Sequence, residues 1–153
     1  MQQVYQVPAA DIPHLLTYAF SLGYRHVDSA TAYRNESACA QAIEKASTEG
    51  VPAPESATST IHGHQRSPTH NLLIPRSEIF FTTKLPPRLR GYDATRESIS
   101  TTIEQNPGLK GYLDLYLIHA PYGGKENRIG SWRAMRDAWQ EGKVRSLGVS
   151  NFS

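Results

Sequence analysis

From the N-terminus onward, apolar residues first recur at helical spacing. In DIPHLLTYAFSLGY the residues Ile12, Leu15, Leu16, Ala19 and Leu22 share one face, and Gly23 supplies a stop. Asp11 stands where an N-cap belongs, and Pro13 is tolerated in a first turn. The short run YRHVD reads as a strand ending at Asp28. Helical spacing returns in NESACAQAIEKAS through Cys39, Ala42, Ile43 and Ala46, with Asn35 as candidate cap. EIFFTTK is a second strand. YDATRESISTTIEQ predicts a third helix, with Asp93 as N-cap and Ile99 and Ile103 as its core stripe, and NPG breaks the chain before the strand YLDLYLIH. SWRAMRDAWQEG places Met135, Ala138 and Trp139 together and stops at Gly142, after which KVRSLGVS is again a strand.

Strand and helix thus alternate, and the strands are nearly continuous apolar runs. That pattern predicts an α/β fold with a parallel sheet covered by helices, either an open doubly wound sheet of the flavodoxin kind or a barrel. An open sheet that binds nucleotides announces itself by a phosphate-cradling loop. Neither G-x-G-x-x-G after a strand nor G-x-x-x-x-G-K-[ST] occurs, which favours the barrel.

One segment departs from the rhythm. Residues 52–74, PAPESATSTIHGHQRSPTHNLLI, are rich in Pro, Ser, Thr and His without a sustained period. A loop of this length inside a compact domain reads as an insertion, a lid, or retained non-coding sequence. His62, His64 and His70 lack a cysteine beside them and make no recognised ligand spacing with Glu55, so they read as solvated loop residues and no metal site is expected.

Composition changes this picture little. With 153 residues, 39% apolar and 20% charged, the chain is expected to form one globular domain spanning 1–153. The net charge of +2 comes without a block of Lys or Arg, so a small-molecule partner is expected in preference to nucleic acid. A single cysteine, Cys39, makes no internal disulfide, and the N-terminal residues lack the features of a secretory signal or a membrane span. The expected setting is cytoplasmic, with no membrane partner.

Candidate chemistry lies at the strand ends. Asp28, Lys84, His119 and Ser150 each close a strand, and their separations become nearly equal once residues 52–74 are set aside. In parallel α/β architectures the C-terminal strand ends share one face, which in a barrel carries the active site. Tyr33 follows Asp28 on the loop leaving the same strand. A tyrosine hydroxyl, with an ordinary pKa of about 10, donates a proton near neutrality only when a nearby cation stabilises its phenolate. Lys84 is the candidate cation, Asp28 offsets the cost of burying it, and His119 adds a second donor or a proton relay. Each residue alone has an ordinary role: a surface lysine, a turn aspartate, a packing tyrosine, a hydrogen-bonded histidine. Their joint placement is what points to a site.

GYRHVDSATAYRNE, EIFFTTKL, LDLYLIHAPYGG and GKVRSLGVSNFS, in this order, resemble the successive signatures of the aldo-keto reductases, most of all the group of diketogluconate and related carbonyl reductases. The resemblance implies a (β/α)8 barrel and metal-free, NADPH-dependent reduction of an aldehyde or ketone to an alcohol. It implies Tyr33 as general acid, Lys84 as the cation that lowers the tyrosine pKa, Asp28 as holder of Lys84, and His119 as the residue that orients the substrate carbonyl. Ser150 and Asn151 match the pair that holds the nicotinamide carboxamide, with Asp28 beside the cofactor as well. A complete barrel takes about 250 residues. The expectation is therefore a partial barrel, from about strand 1 or 2 to strand 5 with covering helices, lacking the last three βα units and prone to self-association through its sheet edges. The expected alternative to an enzyme is a non-catalytic half-barrel or interaction subunit that retains the four residues by descent.

Overall fold

The computed structural model describes residues 2–53 and 71–152. Among them, five strands form one sheet: β1 (Gln2–Gln3), β2 (His26–Asp28), β3 (Phe80–Leu85), β4 (Leu113–Ile118) and β5 (Val144–Val149). Between them run the helices α1 (Ile12–Ser21), α2 (Glu36–Thr48), α3 (Tyr92–Glu104) and α4 (Gly124–Gln140). Every strand pairs in parallel with its neighbour in sequence, in the order β1-β2-β3-β4-β5. A doubly wound sheet needs a point where the strand order reverses, so that helices cover both faces. This order has none. Parallel crossovers are almost always right-handed, and in this order that rule puts successive helices on the same side of the sheet, as in part of a (β/α)8 barrel.

Alternation along the strands separates two faces. Val27, Phe81, Tyr116 and Ile118 are buried toward the helices, and Phe20, Ile43, Ile99 and Met135 join them in the core. The Tyr116 hydroxyl is bonded to Ser98 Oγ of α3 at 2.9 Å, so even the polar tip of that core residue is satisfied. The opposite face carries Asp28, Thr82, Lys84, Leu115 and Leu117, with Asp28 level with Thr82 and Lys84 level with Leu117. Gly148 lies beside Leu117 on this face, and a Cβ there would come within 2.8 Å of Leu117 Cδ2. A side chain there would make the end of Leu117 turn aside.

The periodic segments become helices and strands, and several details differ. The buried stripe of α1 is Ile12, Leu16, Ala19 and Phe20; Leu22 lies beyond the helix and is exposed, because the chain turns away at Gly23 (φ +92°). Asp93 is the second residue of α3 and Gly91 takes the cap position, so the carboxylate acts on the first turn through the helix dipole. Helix α4 begins at Gly124, a turn and more before the expected start, because its first residues are polar and carry no apolar signal. Its core stripe is Ser131, Ala134, Met135 and Ala138, and Trp139 is exposed. Asp11 and Asn35 occupy N-cap positions, yet neither side chain caps its helix.

The excursion beginning at Pro52 leaves from a tied base. Val51 and Leu72 form an antiparallel bridge, with Val51 N donating to Leu72 O at 2.9 Å and Leu72 N to Val51 O at 2.8 Å. His62, His64, His70 and Glu55 lie outside the described residues. No described helix is long and apolar enough to cross a membrane.

Candidate active site

Four elements deliver the strand-end residues to one place. The ladder between β2 and β3 runs on past Asp28, with Ser29 N donating to Thr82 O at 2.9 Å. A 3₁₀ turn (Thr31–Tyr33) then folds the chain back, closed by Tyr33 N donating to Ala30 O at 2.8 Å and ended by Arg34 in the left-handed region at φ +58°. This turn sets the Tyr33 ring over the ends of the neighbouring strands.

Lys84, at the end of β3, is 4% exposed. A buried ammonium is tolerated only if it is paired and hydrogen-bonded. Both conditions are met, since Nζ forms an ion pair with Asp28 Oδ1 and donates to Ser29 O at 2.8 Å. The same Nζ lies 5.1 Å from the Tyr33 ring centroid. His119, just past β4, meets that ring edge-on at 5.9 Å between centroids and an interplanar angle of 78°. Burial, and after it the charge of Lys84, hold the His119 pKa below the ordinary histidine value, so the imidazole stays neutral through neutral pH. Its Nδ1 is buried without a partner among the described residues.

The residues after β5 close the group. Ser150 N donates to Ile118 O at 2.8 Å, and Asn151, in the left-handed region at φ +57°, donates from Nδ2 to His119 O at 2.8 Å and to Ser150 Oγ at 3.0 Å. Among the described residues the Ser150 hydroxyl proton and Asn151 Oδ1 have no partner, a donor and an acceptor side by side. A primary carboxamide needs that complement, so the pair fits a nicotinamide carboxamide. Asp28, Tyr33, Lys84, His119, Ser150 and Asn151 are thus joined by a continuous set of contacts. A neutral imidazole, a phenol and an adjacent ammonium can together hydrogen-bond an oxygen that gains negative charge and deliver a proton to it.

Three contributors escaped the sequence reading. Tyr5 packs against Tyr33 with ring centroids 5.1 Å apart. Ser29 accepts from Lys84 through its carbonyl, a backbone role that leaves no mark on side-chain type. Asn35, in the position of a helix cap, bonds elsewhere.

A singly wound parallel β/α sheet with ionisable side chains gathered at its C-terminal strand ends defines the class: a site of the (β/α)8-barrel type. More narrowly, the chain belongs to the aldo/keto reductase family, whose profile matches residues 2–153. It is 41% identical over 134 residues to an uncharacterized oxidoreductase of Schizosaccharomyces pombe, covering 88% of this chain and 38% of that protein. A solved structure of a putative 2,5-diketo-D-gluconic acid reductase B superposes with a TM-score of 0.74 at 28% identity, covering 99% of this chain and 43% of that one. The aldo-keto reductase of Bombyx mori in complex with NADP gives a TM-score of 0.71 at 28% identity, covering 94% and 41% respectively. The chain therefore spans about two fifths of the length of these relatives.

Proposed function

We propose that this chain carries the catalytic face of an NADPH-dependent carbonyl reductase, which converts an aldehyde or ketone to an alcohol. The observation that carries the reading is the approach of Lys84 Nζ and the His119 ring to the Tyr33 ring, with Asp28 paired to the lysine. The NADP complex of the Bombyx mori relative supports the choice of cofactor. When bound, NADPH supplies the hydride that the carbonyl carbon accepts. Ser150 and Asn151 would hold the carboxamide of its nicotinamide, with Asp28 as a further cofactor-binding residue. His119 donates a hydrogen bond that orients the substrate oxygen. Tyr33 gives that oxygen its proton, and Lys84 stabilises the phenolate left behind. Much of the rate then comes from holding donor, carbon and hydroxyl in contact, which is the work of the strand ends.

The test is direct. The purified chain is titrated with NADPH by fluorescence and assayed against small aldehydes and ketones. Cofactor binding is expected, together with turnover that falls about 100-fold or more in Tyr33→Phe, the range expected for loss of a general acid. Turnover unchanged in that variant removes Tyr33 from the role.

A second reading is favoured by the edges of the sheet, since β1 and β5 each have one strand neighbour among the described residues. In that reading the chain is a non-catalytic interaction subunit that retains the four residues. No change in NADPH fluorescence at high protein concentration, with self-association or capture of a partner strand, would decide for it.

A further inference from the structure

We infer that Asn35 is a positioning residue that holds Tyr33 in place for proton transfer, an inference that rests on the reading of the site given above. An asparagine at this position ordinarily turns its side-chain oxygen onto the free N–H groups of the first helical turn. Here it does not, and α2 goes without a side-chain cap. The residue is 1% exposed, and both of its donors and its acceptor oxygen are engaged by other segments. Oδ1 accepts from Ser29 Oγ at 2.8 Å, while Nδ2 donates to Val4 O at 2.9 Å and to Val7 O at 3.1 Å.

Those partners lie in the two segments next to Tyr33: Ser29 follows β2, and Val4 and Val7 flank Tyr5, whose ring packs on Tyr33. Ser29 is the residue whose carbonyl receives Lys84 Nζ. Val4 and Val7 bracket the turn that presents Tyr5 to Tyr33, and Val4 N is itself bonded to Asp28 O at 3.1 Å. Asn35 stands two residues beyond Tyr33, so one amide joins the tyrosine loop to the end of β2 and to the loop after β1. The next residue completes the clamp on the other side, because Glu36 Oε1 accepts from Thr83 Oγ1, beside Lys84.

The chemistry of the site selects this side chain. Aspartate offers the same shape but no donors, and its carboxylate would face the carbonyl oxygens of Val4 and Val7. Leucine fills a similar volume but takes the amide donors from the Val4 and Val7 carbonyls, leaving Val4 O with only the Val7 N–H, and takes the acceptor from the Ser29 hydroxyl. Glutamine adds a methylene where there is no room. An asparagine satisfies all three partners at once.

The experiment compares Asn35→Leu with Ser98→Ala, which breaks a buried hydrogen bond to Tyr116 away from the site. Two measurements are made. In NMR spectra, the nuclear Overhauser contacts of the Tyr33 ring with the rings of His119 and Tyr5 are expected to vanish in Asn35→Leu and persist in Ser98→Ala. In steady-state assays, kcat is expected to fall about 10-fold in Asn35→Leu with KM for the carbonyl within about twofold, while Ser98→Ala keeps both. Ring contacts retained in a folded Asn35→Leu overturn the inference. Should that variant not fold, Ser29→Ala, which removes the hydroxyl that donates to Oδ1 and keeps the carbonyl that receives Lys84, is expected to weaken both ring contacts, and unchanged contacts there overturn it equally. Absence of turnover in the parent chain refutes the catalytic reading instead, and the ring contacts still decide the role of Asn35.

Discussion

The Lys84–Asp28 pair shows how a residue can be stable only in company. Both side chains are largely shielded from water, Lys84 almost completely. Removing one partner strands the other charge, which typically costs about 3 kcal/mol or more, whereas replacing both is far milder. Lys84→Met is therefore expected to lose about 3 kcal/mol of stability in urea, and the double variant Asp28→Asn, Lys84→Met to recover a large part of it. His119 supplies a matching prediction in pH. Burial and the neighbouring Lys84 lower its folded pKa below the ordinary value of 6.5. The unfolded chain then binds more protons than the folded one between the two values. The stability contributed by the neutral ring is complete above about 6.5 and is lost as pH falls toward the lowered value. His119→Asn is expected to flatten that acid limb, measured as the difference in denaturation midpoint between pH 7 and pH 5.

At the scale of elements, close packing decides more than local propensity. Gly108, in the 3₁₀ turn Pro107–Leu109, lies against α2 so tightly that a Cβ would run into the carbonyl oxygen of Ala40. Backbone does not yield as a flexible side chain does, so Gly108→Ala is expected to destabilise by about 1–3 kcal/mol, read as a lower thermal midpoint with an unchanged far-ultraviolet spectrum. Asp114 plays a related part for the strands. Its carboxylate takes Arg76 at 2.7 Å and the N–H of Phe81 at 2.9 Å, fixing the start of β3 against β4. The helices and four of the strands were legible as periodic runs, but their caps were not. Asn35 and Asp11 have the residue types that cap helices, and Asn35 is instead consumed by tertiary partners. The strand β1 was not legible from its own residues either. Gln2–Gln3 has no apolar run, and it is a strand only because β2 lies beside it.

The whole molecule is a parallel sheet with helices against one face and two edge strands, β1 and β5, among the described residues. The other face carries the half-buried Leu115 and Leu117 together with exposed Phe80. Unpaired strand edges and a partly apolar face favour association with further strands. Sedimentation velocity is expected to show a weight-average mass that rises with protein concentration, and a constant monomer mass over the micromolar range would remove that expectation. The site belongs to this scale too. Its members come from four βα connections, and parallel winding alone makes neighbours of residues so far apart in the chain. That is why the strand-end residues could be read in advance.

Taken by itself, the order of residues determined the alternation of elements, the family, and the candidates Asp28, Tyr33, Lys84, His119, Ser150 and Asn151, because hydrophobic period and strand-end chemistry are local properties. Only the tertiary structure decided the packing of Tyr5 on Tyr33 and the diversion of Asn35 from capping a helix to bracing a loop. Those features depend on hydrogen bonds and ring contacts between segments, and no spacing along one segment encodes which distant carbonyl a buried amide will meet.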